Sequence, residues 1–186
     1  PNDDLWQQTQ RARQYLKNGT FVELPDYAHG FLDVHTAHAA SIVRTFLDNP
    51  ADARPDRTAR KAIPPPPVPP PPSPPLASTR REFWDGPYGQ LHYRIARPAH
   101  EQGLPIVMFH MSPNSGRIYQ ALLSELGRDR IAVAPDTPGF GESAAPDAPI
   151  EIEDFAQTMA KLIDSLGIHR VDIMGYHTGA ITCVAL

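Results

Sequence analysis

The residues best suited to chemistry stand in the stretch Gly175-Tyr176-His177-Thr178-Gly179. This stretch lies between one apolar run, Val171 to Met174, and a second, Ala180 to Leu186. Glycines on both sides permit a turn so tight that the central side chain is exposed, and the next backbone N–H can then help to bind an oxyanion. The frame G-x-H-x-G between a strand and a helix therefore predicts a nucleophile turn with His177 at its centre.

Two upstream stretches, each of which follows an apolar run, carry further candidate residues. They are His110-Met-Ser-Pro-Asn-Ser-Gly116 and Asp136-Thr-Pro-Gly-Phe-Gly-Glu-Ser143. Ser112 and Ser115 in the first are alternative nucleophiles, although no strained turn is predicted to present them. Asp136 in the second most simply orders its own glycine turn, because an aspartate side chain can hydrogen-bond to the backbone that follows it.

Taken in this order, the three stretches resemble the α/β-hydrolase superfamily. Its members carry an HG-type oxyanion loop, a D-x-x-G-x-G-x-S loop and a nucleophile turn after three successive strands, and the resemblance spans Arg80 to Leu186. It implies that Ser112 and Thr178 offer backbone N–H groups to an oxyanion and that His177 occupies the nucleophile's position. Met111 stands where the family usually has glycine.

The first 48 residues resemble the opposite end of the same superfamily. The stretch Leu24-Pro-Asp-Tyr-Ala-His29-Gly30 looks like the loop that carries the catalytic histidine, and Phe46-Leu47 looks like the end of the last helix. Asn2-Asp3-Asp4 stands where the family has its acid. The resemblance thus implies His29 as the catalytic histidine, with Asp3 as the first choice for the acid and Asp4 as the second.

In this chain the candidate acid comes first, then the histidine and then the nucleophile position. In the family the nucleophile comes first, followed by the acid and the histidine. A circular permutation and a slice across the junction of two tandem hydrolase units both explain this difference. The slice is favoured, because the lid and two strands that the family carries between nucleophile and acid have no counterpart here. We then expect Asp3 and His29 not to assemble with His177, the strand Thr20 to Leu24 to lack its natural neighbours, and another chain to be the candidate for completing the sheet.

The apolar pattern predicts the strands that position the candidate residues. Two continuous apolar runs, Leu104 to Phe109 and Ile131 to Ala134, are typical of buried parallel strands. Val171 to Met174, apolar apart from Asp172, is predicted as the third of these adjacent parallel strands. A fourth strand is predicted from Leu91 to Ala96, close to a turn at Gly86-Pro87.

Apolar residues at helical spacing predict the helices. The stripes include Ala39, Val43, Phe46 and Leu47, then Tyr119 to Leu126, and finally Ile152 to Leu166. Strands alternating with helices indicate an α/β fold. With the resemblance, this predicts an incomplete, mostly parallel sheet of the α/β-hydrolase type with flanking helices.

A proline-rich segment separates the two pieces. Ten of the twelve residues from Pro64 to Pro75 are proline, which predicts a polyproline II spacer, with an SH3 or WW ligand as the alternative. We divide the chain into a C-terminal-like hydrolase piece (1–48), a linker (49–79) and an N-terminal-like core that runs through the nucleophile turn (80–186).

Composition argues against several classes of partner. The chain has 186 residues and a net charge of −4, without a long basic face, so nucleic acid is not expected. No apolar run approaches the roughly 20 residues of a membrane span. The single cysteine, Cys183, is predicted to be a small core residue and excludes an internal disulfide, so we expect a cytoplasmic protein.

His29, His35 and His38 are the only cluster that suggests a metal site. No acidic or thiolate partner completes a recognisable ligand spacing, so neither a metal nor a cofactor is expected. The sequence favours a hydrolase of a small ester, epoxide or related substrate. A non-catalytic protein that kept the pocket and an inactive fragment are the alternatives.

Overall fold

The computed structural model describes residues 35–48 and 75–186. Its strands are β1 (Thr79–Gly86), β2 (Gly89–Ala96), β3 (Ile106–Phe109), β4 (Ala132–Pro135) and β5 (Asp172–Gly175). Its helices are α1 (Thr36–Asp48), α2 (Gln120–Leu126), α3 (Ile152–Ser165) and α4 (Thr178–Ala185), with a 3-10 turn over Gly116–Tyr119. None of the helices in these ranges is long and apolar enough to cross a membrane. Outside them lie Asp3, Asp4, His29, the predicted strand Thr20 to Leu24 and all but the last residue of the proline run.

The strands form one mixed sheet in the order β1-β2-β4-β3-β5. β3 lies in the middle of a parallel trio, with β4 on one side and β5 on the other. The prediction of three adjacent parallel strands is confirmed. Helices α2 and α3 provide the crossovers that parallel neighbours require, while β1 and β2 form an antiparallel hairpin at the other end.

Both faces of the central strands are buried, which explains their continuous apolar sequences. All four residues of β3 and all four of β4 are buried. Because side chains alternate across a strand, Met108 packs in the core beneath α1 and α2, whereas Val107 and Phe109 pack in the core beneath α3. This double burial fixes the register of β3 and β4, whose ends carry the loops that begin at His110 and Asp136.

Strand β1 was not predicted and begins at Thr79, the last residue that we assign to the linker. Its sequence, TRREFWDG, contains no apolar run, and its residues alternate between partly buried and exposed. Phe83 is half exposed. A polar strand of this kind suits the edge of a sheet, where charged side chains discourage pairing with another chain.

Helix α1 packs against α2 on one face of the sheet. Ala40 is buried in that core, and Val43 and Leu47 pack against it, as predicted from their spacing. Phe46 was predicted on the same buried stripe, and this is wrong because 49% of it is exposed. The buried face of α1 is narrower than the predicted stripe, since the small residues Ala39 and Ala40 make the close contact.

Charged residues also join α1 to the rest of the fold. Arg44 donates to the Asp129 carboxylate and to the backbone carbonyl of Glu125. Arg130, whose side chain is only 3% exposed, pairs with Asp48 at 2.7 Å and with Asp129 at 2.9 Å. A buried guanidinium needs such partners, so α1 supplies part of the charge balance of the core.

Candidate active site

Strand register brings two of the predicted loops together. Phe109 at the end of β3 pairs with Gly175 at the end of β5, and the Tyr176 N–H donates to the Phe109 carbonyl at 3.1 Å. Ser112 and Thr178 each stand three residues beyond this pair. They meet, because the Ser112 N–H donates to Thr178 Oγ1 at 2.7 Å.

His177 lies on the turn between β5 and α4, and its side chain is exposed. Its backbone has φ 55° and ψ −119°, which is the only positive φ of a non-glycine residue in the described ranges. Such a conformation is disfavoured for L-residues and persists only where the surrounding structure imposes it. Two bonds close the turn, from the Gly179 N–H to the Tyr176 carbonyl and from the Ala180 N–H to the His177 carbonyl, each at 2.9 Å.

Gly175 and Gly179, the two glycines of the G-x-H-x-G frame, each lie too close to neighbouring backbone for a side chain to fit. A Cβ on Gly175 would stand 2.3 Å from the Gly179 carbonyl oxygen, and one on Gly179 would stand 2.0 Å from the Phe109 carbonyl oxygen. Both obstacles are backbone atoms inside the sheet and the turn. The spacing G-x-H-x-G is therefore what allows α4 to begin so close to β3.

His110 joins the loop after β3 to the loop after β4. Its buried ring accepts the Thr137 N–H at Nε2, at 3.0 Å, and Nδ1 lies 2.9 Å from the Met111 carbonyl, so the proton sits on Nδ1. Burial lowers the pKa of His110 below its usual 6.5, although the Met111 carbonyl and the Asp136 carboxylate favour the charged ring. The neutral ring is the form that can accept the Thr137 N–H.

A pH dependence follows from His110. Since its pKa is lower in the folded than in the unfolded chain, the unfolded state binds more protons near and below pH 6.5, and the free energy of unfolding should fall as the pH drops through this range. Denaturant titrations between pH 5 and 7.5 should show a smaller pH dependence for His110→Asn than for the parent chain. His100→Asn, at an exposed position, is the control and should keep the parent's dependence. Identical pH dependence in His110→Asn and the parent would contradict this prediction.

Asp136 orders its glycine turn, as predicted. Its Oδ1 accepts the Gly116 N–H at 2.7 Å, and its Oδ2 accepts the Glu142 N–H at 2.9 Å. His92 Nδ1 also lies 2.9 Å from Oδ2, in a fully buried contact. This carboxylate therefore holds three chain segments near the candidate site and is not itself exposed to a ligand.

His92 was not predicted as a site residue. It stands in the middle of β2, and its backbone N–H donates to the Ser143 Oγ at 3.0 Å. The only signal in the sequence is a histidine between Leu91 and Tyr93 of a predicted strand. That signal names no partner, because Asp136 is 44 residues further along the chain.

The remaining candidates lie away from the His177 turn or act structurally. Ser115 caps the 3-10 turn by accepting the Arg117 N–H, so it does not stand on a nucleophile turn. Cys183 packs against the core beneath α3, and burial raises the pKa of its thiol to about 11, so it stays protonated at neutral pH. His35 immediately precedes α1 and His38 lies on it. Within the residues that the structure describes, no three His, Cys, Asp or Glu side chains form a metal-binding group.

Part of the chain is similar to known hydrolases in sequence and in fold. The chain is 26% identical over 87 residues to a soluble epoxide hydrolase of Corynebacterium sp. (strain C12), covering 47% of this chain and 30% of that protein. The solved structure of epoxide hydrolase CorEH without ligand matches 58% of this chain and 37% of its own, with a TM-score of 0.54 and 22% identity. N-acyl homoserine lactonase AidH complexed with N-butanoyl homoserine matches 57% of this chain and 39% of its own, with a TM-score of 0.52 and 25% identity.

The chain therefore spans about a third of the length of these proteins. No protein-family model matches it. What the comparisons share with the geometry above is the fold of the sheet and its helices.

Proposed function

We propose that this chain, whose sheet and helices have the α/β-hydrolase fold, is part of a hydrolase acting on a small ester, epoxide or related substrate. The observation that carries the proposal is the backbone of His177. A non-glycine residue at φ 55° and ψ −119°, on the turn between β5 at the edge of the described sheet and helix α4, supports the assignment of its exposed side chain to the nucleophile's position.

The chemistry available at this position follows from the imidazole. A serine alkoxide would attack an acyl carbon and leave a stable acyl-enzyme, whereas an imidazole forms a labile acyl-imidazole or acts as a base on water. His177 is therefore assigned one of these two roles. The Ser112 and Thr178 N–H groups are the proposed oxyanion donors, and His29 with Asp3 or Asp4 remains the proposed base and acid.

A non-catalytic binding protein is the second candidate function. Two features favour it: His177 replaces the nucleophile, and the Ser112 N–H is already bound by the Thr178 hydroxyl. In this function the candidate site around His177 would bind an ester, lactone or epoxide without cleaving it. The relatives named above are described as an epoxide hydrolase and an N-acyl homoserine lactonase, and these substrate classes are the ones to test.

Turnover of a chromogenic acetate ester and of a small aryl epoxide tests the proposal. We expect slow hydrolysis by the parent chain, and a loss of about 10- to 100-fold in His177→Ala, since general base and nucleophilic groups contribute at least this much. His100→Ala, which changes an exposed histidine outside the site, should retain the parent's rate. Equal rates in all three would contradict a catalytic His177. Thermal stabilisation by the ester or epoxide without turnover would instead establish the binding function.

His177→Ser is informative in the same assay. Residues of a catalytic triad act as a unit, so a serine without a positioned base gains little. We expect less than about a tenfold rise in the rate of this chain alone. A larger rise would show that His29 and its acid already reach the turn.

A further inference from the structure

The contact between Ser112 and Thr178 has a chemical consequence for what the site binds. The Ser112 N–H carries a single hydrogen, and this hydrogen points to Thr178 Oγ1 at 2.7 Å, at the short end of the range for N–H···O bonds. A ligand oxygen that approaches the same N–H meets this hydroxyl first. The donor that the sequence assigns to an oxyanion is thus already in use.

We infer that the Thr178 hydroxyl occupies the Ser112 N–H, the proposed oxyanion donor, so that the site presents an O–H to its ligand in place of that N–H. This occupied donor is the plug. This inference rests on the proposed function, because it concerns the same candidate site at the His177 turn. A hydroxyl has one donor and two acceptor lone pairs, so Thr178 keeps its own proton after accepting from Ser112. The chain Ser112 N–H to Thr178 O–H to ligand is a donor relay, and each bond in such a chain polarises the next.

The plug is built into the sheet. Ser112 and Thr178 follow paired residues of β3 and β5 at equal distances along the chain, so the register of β5 against the buried strand β3 places them opposite each other. Gly179 lies against the Phe109 and His110 carbonyls, which fixes the start of α4 against the end of β3. Threonine is β-branched and has few χ1 rotamers, so its hydroxyl stays in place once the backbone is fixed.

The ligand class follows from the donor. One hydroxyl proton suits a neutral acceptor, such as the carbonyl of an ester or lactone or the oxygen of an epoxide. A small anion can reach the Ser112 N–H only by displacing the hydroxyl from it. We therefore expect a small anion to contact the Ser112 N–H when the hydroxyl is absent and to contact the Thr178 O–H when it is present.

The test compares Thr178→Val with Thr178→Ser. Valine has the shape of threonine without the hydroxyl, while serine keeps the hydroxyl, so serine is the matched control. The readout is the backbone amide of Ser112 in ¹H-¹⁵N NMR spectra, through its hydrogen exchange rate and its response to methylphosphonate, a small tetrahedral anion. Thr178→Val should speed exchange of the Ser112 amide about tenfold. Methylphosphonate should then shift the Ser112 amide resonance in Thr178→Val, whereas Thr178→Ser should match the parent, in which the hydroxyl keeps the anion from this amide.

Unchanged exchange of the Ser112 amide in Thr178→Val would overturn the inference, as would an equal shift of this amide by methylphosphonate in all three proteins or no shift in any of them. These results are separable from those on turnover. If valine frees the amide while no variant hydrolyses ester or epoxide, the plug stands and the hydrolase proposal fails. If valine changes nothing while His177→Ala abolishes turnover, the plug fails and the hydrolase proposal stands.

Discussion

Gly179→Ala is expected to lower the free energy of unfolding by about 4 kcal/mol or more. The reason is that the new Cβ would clash with backbone atoms that cannot move without breaking hydrogen bonds. The new Cβ would lie 2.0 Å from the Phe109 carbonyl oxygen and 2.9 Å from that of His110. Moving α4 away would break the turn bonds beyond His177, and moving β3 would break its pairing with β4 and β5. Chemical denaturation of the purified variant measures the loss, and failure to fold is its extreme form.

Gly167→Ala is the matched control. Gly167 has a positive φ, of 72°, which Gly179 does not have, but a Cβ on Gly167 would meet no atom within 4 Å. Only the backbone preference opposes that alanine, and this costs about 1–2 kcal/mol. A loss at Gly179 no larger than the loss at Gly167 would show that the turn is not packed against β3, and the geometry that we assign to His177 would fall with it.

The contrast between β3 and β1 shows which parts of the fold the sequence could predict. The central strands are buried on both faces, so Ile106 to Phe109 form an unbroken apolar run that is visible without any partner. β1 is an edge strand, and its burial comes from pairing with β2 and not from an apolar sequence. Nothing local distinguishes Thr79 to Glu82 from a solvated linker.

The same distinction applies to the candidate site. The turn at His177 could be predicted because glycine spacing is a local signal, and Asp136 because its turn lies within the next few residues. The contacts of His92 with Asp136 and of Ser112 with Thr178 join residues 44 and 66 positions apart, and only the strand register creates them. The sequence therefore indicates which loops carry the site, whereas the hydrogen bonds that decide its chemistry need the sheet.

Ala40→Gln is expected to lower the stability of the whole core by about 3 kcal/mol, since it buries an amide without partners in a space that fits a methyl group. Ala40 is 3% exposed and belongs to the same cluster as Met108 of β3. Ser41→Gln changes the neighbouring exposed residue of α1 and should have little effect, because glutamine is itself a good helix former. Denaturation curves of the two variants against the parent give the difference.

Hydrogen exchange of the β3 amides shows whether that loss reaches the sheet. If α1 belongs to a separate unit, Ala40→Gln will leave exchange at Ile106 to Phe109 unchanged. If α1 is part of this core, exchange there will accelerate by the factor that corresponds to the loss in stability. The second outcome is expected, because Asp48 of α1 pairs with Arg130. Arg130 is buried, and it belongs to the part of the sequence that follows the linker. Such coupling would make α1 and the sheet one cooperative folding unit, held together by the Ala40 contacts in the core and by this ion pair.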